Sequence, residues 1–164
     1  MAARVIHFGI DECHRVPLLR RAGYSVKECS SLRLLHTALL HPPFPDVVAF
    51  AEREGKEAEI HTAAWVVRSH TDSPIVLFQS EGRPFDASVF SLAIPPFTYP
   101  RVWLDNLSGL LERSRALKAE SRAIQAEAAR LCDEAAFEGG RAALERKRSA
   151  LLRGFKLPDP FRKL

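Results

Sequence analysis

Apolar residues gather along this chain in five short runs, and between the runs they recur at helical spacing. Residues 4–10 (RVIHFGI), 45–52 (PDVVAFAE) and 73–80 (SPIVLFQS) are continuously apolar rather than alternating, as strands buried on both faces of a parallel sheet are. Residues 24–30 (YSVKECS) alternate like a strand at an exposed edge, and residues 90–97 (FSLAIPPF) predict a short fifth strand that runs into two prolines. The first intervening stretch, residues 11–23 (DECHRVPLLRRAG), predicts a short helix: Asp11 can cap it, Pro17 suits its first turn and Gly23 stops it. A second helix has apolar residues at 32, 35, 39 and 40, with Ser30 or Ser31 as cap and Pro42-Pro43 as terminator. A third places Ile60, Ala63, Ala64 and Val67 on one face. Residues 81–91 (EGRPFDASVFS) predict a loop with one weak helical turn. From about Tyr99 a helix begins that meets no breaker until about Phe137, and residues 141–154 (RAALERKRSALLRG) predict a last helix after the Gly139-Gly140 pair.

Strands that alternate with helices argue for a parallel sheet covered by helices on both faces. Five strands within about 110 residues point to a flavodoxin-like, doubly wound α/β fold of strand order 2-1-3-4-5, with a long C-terminal helix or helical hairpin. In such sheets ligands bind beyond the carboxyl ends of the strands. That rule singles out Gly9, Ile10, Asp11 and Glu12, then Ala51 and Glu52, Gln79 and Ser80, and Pro95 and Pro96.

The AGYSV turn into the second strand, the PDVV opening of the third and the SPIVLF fourth strand, taken in order, resemble the receiver domain of bacterial response regulators. The resemblance covers residues 4–117, and it implies domains at 1–117 (receiver-like) and 118–164 (helical extension with a basic tail). It also implies a chemistry. In that family two acidic residues after the first strand hold magnesium and an aspartate ending the third strand accepts a phosphoryl group. A hydroxyl ends the fourth strand, and a lysine before a proline ends the fifth.

Here the acidic pair aligns with Gly9 and Ile10, with Asp11 and Glu12 displaced by one or two residues. The acceptor position falls on Ala51, the hydroxyl position on Gln79 beside Ser80, and the lysine position on Pro95. A methyl group is no nucleophile toward phosphorus. Sliding the register to Glu52 puts a longer carboxylate on the other face of the strand. The expectation is a degenerate pocket: no phosphorylation in the usual way, no metal and no cofactor. Whether the Pro95-Pro96 bond is cis, as the family's bond there is, stays open at this point.

Along the last helix, Trp103, Leu110, Leu117, Ile124 and Leu131 fall at intervals of seven. Four residues after each come Leu107, Ser114, Ser121, Ala128 and Ala135, so a bulky row runs beside one of mostly small residues. Arg113, Glu120, Glu127 and Glu134 flank the stripe. Its beginning must cover the sheet. Beyond about Leu117 it needs a partner, and a second copy of the chain is the expected one; the other arrangement is a fold-back of Leu144, Leu151 and Leu152 at the double glycine.

Composition changes this picture little. The 164 residues are 46% hydrophobic and 27% charged, ordinary for a globular protein. Cys13, Cys29 and Cys132 are odd in number and form no CxxC pair, which argues against a disulfide or zinc framework. The start of the chain does not read as a signal peptide and no run is long enough to span a membrane, so a cytoplasmic protein is expected.

The net charge of +4 and a pI near 9.2 come with basic residues toward the C-terminus, which keeps an RNA-binding output as the alternative function. No GxSxG, HExxH, GxGxxG or phosphate-binding glycine loop occurs, and no enzyme activity is expected. The function these observations favour is a phosphorylation-independent signalling or scaffold module that acts through protein contacts and dimerisation.

Overall fold

The computed structural model describes residues 2–81 and 84–154. The described elements, in chain order, are β1 (Arg4–Phe8), α1 (Arg15–Arg21), β2 (Ser25–Cys29), α2 (Leu32–Leu40), β3 (Val47–Ala51), α3 (Glu57–His70), β4 (Ile75–Phe78), β5 (Leu92–Ile94) and α4 (Pro100–Gly154). All neighbouring strands pair in parallel, in the order β2-β1-β3-β4-β5. β2 lies at the edge, which explains its alternating, partly exposed sequence. β3 and β4 lie inside the sheet and are buried at every position.

The pleat sends alternate residues to two cores. Ile6, Phe8, Val48, Phe50, Ile75 and Leu77 pack with Leu35 and Leu39 of α2 and with Ile60 and Val67 of α3. Val5, Val47, Ala49, Val76, Phe78 and Ile94 pack with Leu19 of α1 and with Trp103, Leu107 and Leu111 of α4. Among the described residues between β4 and β5 the chain makes a turn at 86–89: Asp86 accepts hydrogen bonds from the Ser88 amide and hydroxyl, and Val89 and Phe90 drop into the first core.

Two local features hold the amino ends together. Asp46 accepts from the Arg4 amide at 2.8 Å, and its own amide donates to the Arg4 carbonyl. Ser31 caps α2 by accepting from the Leu34 amide. Asp46 therefore belongs to the sheet's amino edge, away from any ligand site.

The chain divides into two units, Met1–Ala116 and Leu117–Leu164. α4 continues unbroken through Gly139 and Gly140, so the fold-back at that pair and a separate last helix do not occur. Backbone hydrogen bonds between successive turns carry the helix across two poor helix formers, a cost of about 1 kcal/mol for each glycine. Residues 155–164, which hold the end of the basic tail and Phe155, lie outside the described residues.

Candidate functional site

At the carboxyl ends of the strands the backbone closes on itself. β1 ends at Phe8, and Gly9 takes φ +103° while its amide donates to the Cys29 carbonyl. A Cβ on Gly9 would lie 2.9 Å from the Ala51 carbonyl oxygen and 3.4 Å from Ala51 Cβ. Only glycine fits both the backbone angle and the contact. The position aligned with a metal-binding acid and the position aligned with the phosphoryl acceptor are thus packed against each other as hydrogen and methyl.

The other aligned residues disperse. Ile10 is exposed rather than directed inward. Asp11 does cap α1, although from outside it: its two carboxylate oxygens accept from the Arg15 and Val16 amides at 2.8 and 2.7 Å. Glu12 is exposed and faces Arg53 at 3.6 Å. Gln79 is buried, and its amide donates to the Ile94 carbonyl. Ser80 donates both its amide and its hydroxyl to Glu52, at 3.0 and 3.2 Å.

Glu52 and Gln79 line, with Leu77 and Phe90, a cavity of about 320 Å³. That cavity lies on the first-core side of the sheet, whereas Ala49 packs in the second core. Pro95 is exposed and its carbonyl accepts from the Thr98 hydroxyl. Among the described residues the cis peptide bond lies between Pro42 and Pro43, not at Pro95-Pro96. A cavity of about 230 Å³ does open beside Gly9, Ile10 and Ala51, toward Arg53, Lys56 and Ile60. Among the described residues no group of three His, Cys, Asp or Glu side chains is placed to hold a metal.

Three features escaped sequence reasoning. His7 sits in the middle of β1, fully buried, with both ring nitrogens unpartnered. Burial pushes its pKa below the ordinary 6.5, so the ring is held neutral. A polar residue inside an otherwise apolar strand was the available signal. Arg15 stacks over Phe78, its guanidinium carbon 4.4 Å from the ring centroid, while Trp103 meets the same ring edge-on at 5.3 Å. His36 of α2 meets His70 of α3 at 5.0 Å, ring edge to ring face. Neither pairing has a signature in sequence spacing, because each joins separate elements.

The helical stripe divides. Trp103 and Leu107 are buried in the second core, so neither is available to a partner, and Leu110 packs partly against that core. Leu111 rather than Leu110 completes the buried face, because i, i+4, i+8 spacing lies along a straight helix side. Leu117, Ile124 and Leu131 are 66, 62 and 52% exposed. After them the row loses phase: Phe137, Leu144 and Leu151, also exposed, come one residue early. One residue is about 100° of helix rotation, so the two rows occupy different faces.

No family model matches the sequence, and no curated protein is similar to it in sequence. Solved structures do match. The N-terminal domain of a response regulator/sensory box/GGDEF protein from Carboxydothermus hydrogenoformans superposes with TM-score 0.56 at 13% identity, covering 69% of this chain and 97% of that one. The chemotaxis response regulator CheY4 of Vibrio cholerae does so with TM-score 0.52 at 19% identity, covering 67% and 99%. The sheet unit has a receiver-like fold. A fusion that includes a trimeric coiled coil of yeast Spc42 also matches, with TM-score 0.59 at 16% identity over 76% of this chain and 95% of that one. Within the receiver-like unit, the strand ends bring Gly9 and Ala51 into contact, while Asp11 is bound to backbone amides, Glu12 faces Arg53, and Ser80 binds Glu52.

Proposed function

We propose that this protein is a signal-transduction or scaffold module that works without phosphorylation, communicating through the surface of its receiver-like unit and through self-association along α4. The observation that carries the reading is the contact between Gly9 and Ala51. Where a receiver places an acceptor carboxylate next to a metal-binding acid, this chain has a methyl group and a hydrogen, neither a nucleophile nor a metal ligand. Asp11, the nearest acid in sequence, is engaged by two helix amides. The exposed row of Leu117, Ile124 and Leu131 supports the self-association part, since three such side chains on one helix face are costly in water. Flanking Glu120, Glu127 and Glu134 would set pairing register.

The test is incubation of the full chain with acetyl phosphate and magnesium, read by intact mass. The expected outcome is an unchanged mass, and stoichiometric labelling of any carboxylate near Asp11 or Glu52 refutes the reading. The cations Arg141, Arg146, Lys147, Arg148 and Arg153 support a second reading, an RNA-binding output. It requires a salt-dependent mobility shift of RNA that disappears when residues 141–164 are removed.

A further inference from the structure

We propose that the cavity between α1 and the β5–α4 connection is a binding site for a small organic carboxylate, held by Arg15. The cavity has a volume of about 200 Å³ and is lined by Cys13, Arg15, Leu18, Pro95, Thr98 and Trp103 among others. Arg15 is the only charged group among its described lining residues. One face of the guanidinium is covered by Phe78, and Thr98 and Cys13 are the other polar side chains of a lining otherwise made of Leu18, Ile94, Trp103, Phe97 and prolines.

A half-buried cation normally has a paired anion. Among the described residues, neither an ion pair nor a hydrogen bond engages this guanidinium. The acid nearest in sequence, Asp11, has both oxygens bound to amides of α1. Burial lowers the pKa of Arg15 from its ordinary value, and the nearby Cys13 and Asp11 oppose that shift without cancelling it.

The chemistry of the ligand follows from this lining. One guanidinium balances one negative charge, and its planar fork matches the two oxygens of a carboxylate. A phosphate dianion would leave a charge uncompensated between Leu18, Ile94 and Trp103. The volume corresponds to roughly six or seven waters' share of liquid, room for a short aliphatic chain or a single ring. This site does not involve Ala51, so the proposal stands or falls independently of the phosphorylation reading.

The experiment uses the full chain carrying Trp65→Phe, so that Trp103 is the sole tryptophan reporter. Benzoate, butyrate and inorganic phosphate are titrated separately, with fluorescence and thermal midpoint as readouts. Benzoate or butyrate is expected to change Trp103 emission saturably and to raise the midpoint, with no saturable effect of phosphate. Arg15→Gln is expected to weaken carboxylate binding by at least about tenfold, with Arg15→Lys intermediate, because a charge-assisted fork is lost. Leu18→Phe, which keeps the charge and fills the cavity, must also weaken it, and serves if Arg15→Gln fails to fold. The proposal is overturned if neither carboxylate saturates, if phosphate binds more tightly than both, or if folded Arg15→Gln or Leu18→Phe binds as the parent does.

Discussion

Gly9 holds its position for two reasons that act together: a positive φ and a carbonyl at 2.9 Å from where a Cβ would stand. Gly9→Ala is therefore expected to lower stability by about 2 kcal/mol or more, measured by urea unfolding. His7 carries the opposite kind of tension, a buried ring with both nitrogens orphaned. Its folded pKa is depressed, so the unfolded chain binds the proton more readily. The resulting stability is fully present above 6.5 and is lost as pH falls through 6.5 toward the folded value. The loss amounts to at most about 1.4 kcal/mol per pH unit from this group. His7→Leu removes that share of the acid sensitivity and relieves the orphaned polar atoms, raising stability at neutral pH by about 1 kcal/mol. A pair of unfolding series across pH checks both, and an unchanged acid slope in the variant would contradict the assignment to His7.

Among the elements, α1 and α4 show how different the supports of two helices can be. α1 has seven residues and depends on its ends: Asp11→Ala removes two charge-assisted bonds to its amides and is expected to cost about 1–3 kcal/mol. Magnesium should leave the parent's thermal midpoint unmoved, since Asp11 is occupied as a cap. α4 depends on its faces. Leu107→Ala opens a void in the second core and should cost about 2–5 kcal/mol. Ile124→Lys lies on the exposed row and should shift stability by no more than about 0.5 kcal/mol, yet abolish concentration-dependent sedimentation. Retained self-association in that variant would remove the coiled-coil part of the proposal. The one-residue phase break after Leu131 means that the proposed self-association would be confined to a seam before Phe137.

At the level of the molecule, a receiver-like sheet unit keeps the fold's architecture while its strand ends carry inert or internally satisfied groups. The parallel order is retained because the pleat alternation of β3 and β4 fills two cores, and those cores make no demand on the residue at the acceptor position. Among the described residues no helix is long and apolar enough to cross a membrane.

The sequence by itself determined the five strands, the first three helices and their order, because continuous apolar runs, helical spacing, Pro42-Pro43 and Gly23 are local signals that tertiary packing then reinforced; it did not show that α4 runs unbroken through Gly139-Gly140. It also determined that position 51 bears no nucleophile, since that is a matter of residue type alone. Only the tertiary structure decided that Gly9 touches Ala51, that Arg15 lies over Phe78 beside Trp103, that His7 is left without partners, and that Leu111 rather than Leu110 completes the buried face of α4. The physical reason is the same in each case. These are contacts between elements distant in the chain, fixed by how sheet and helices pack, and no periodicity along one segment encodes them.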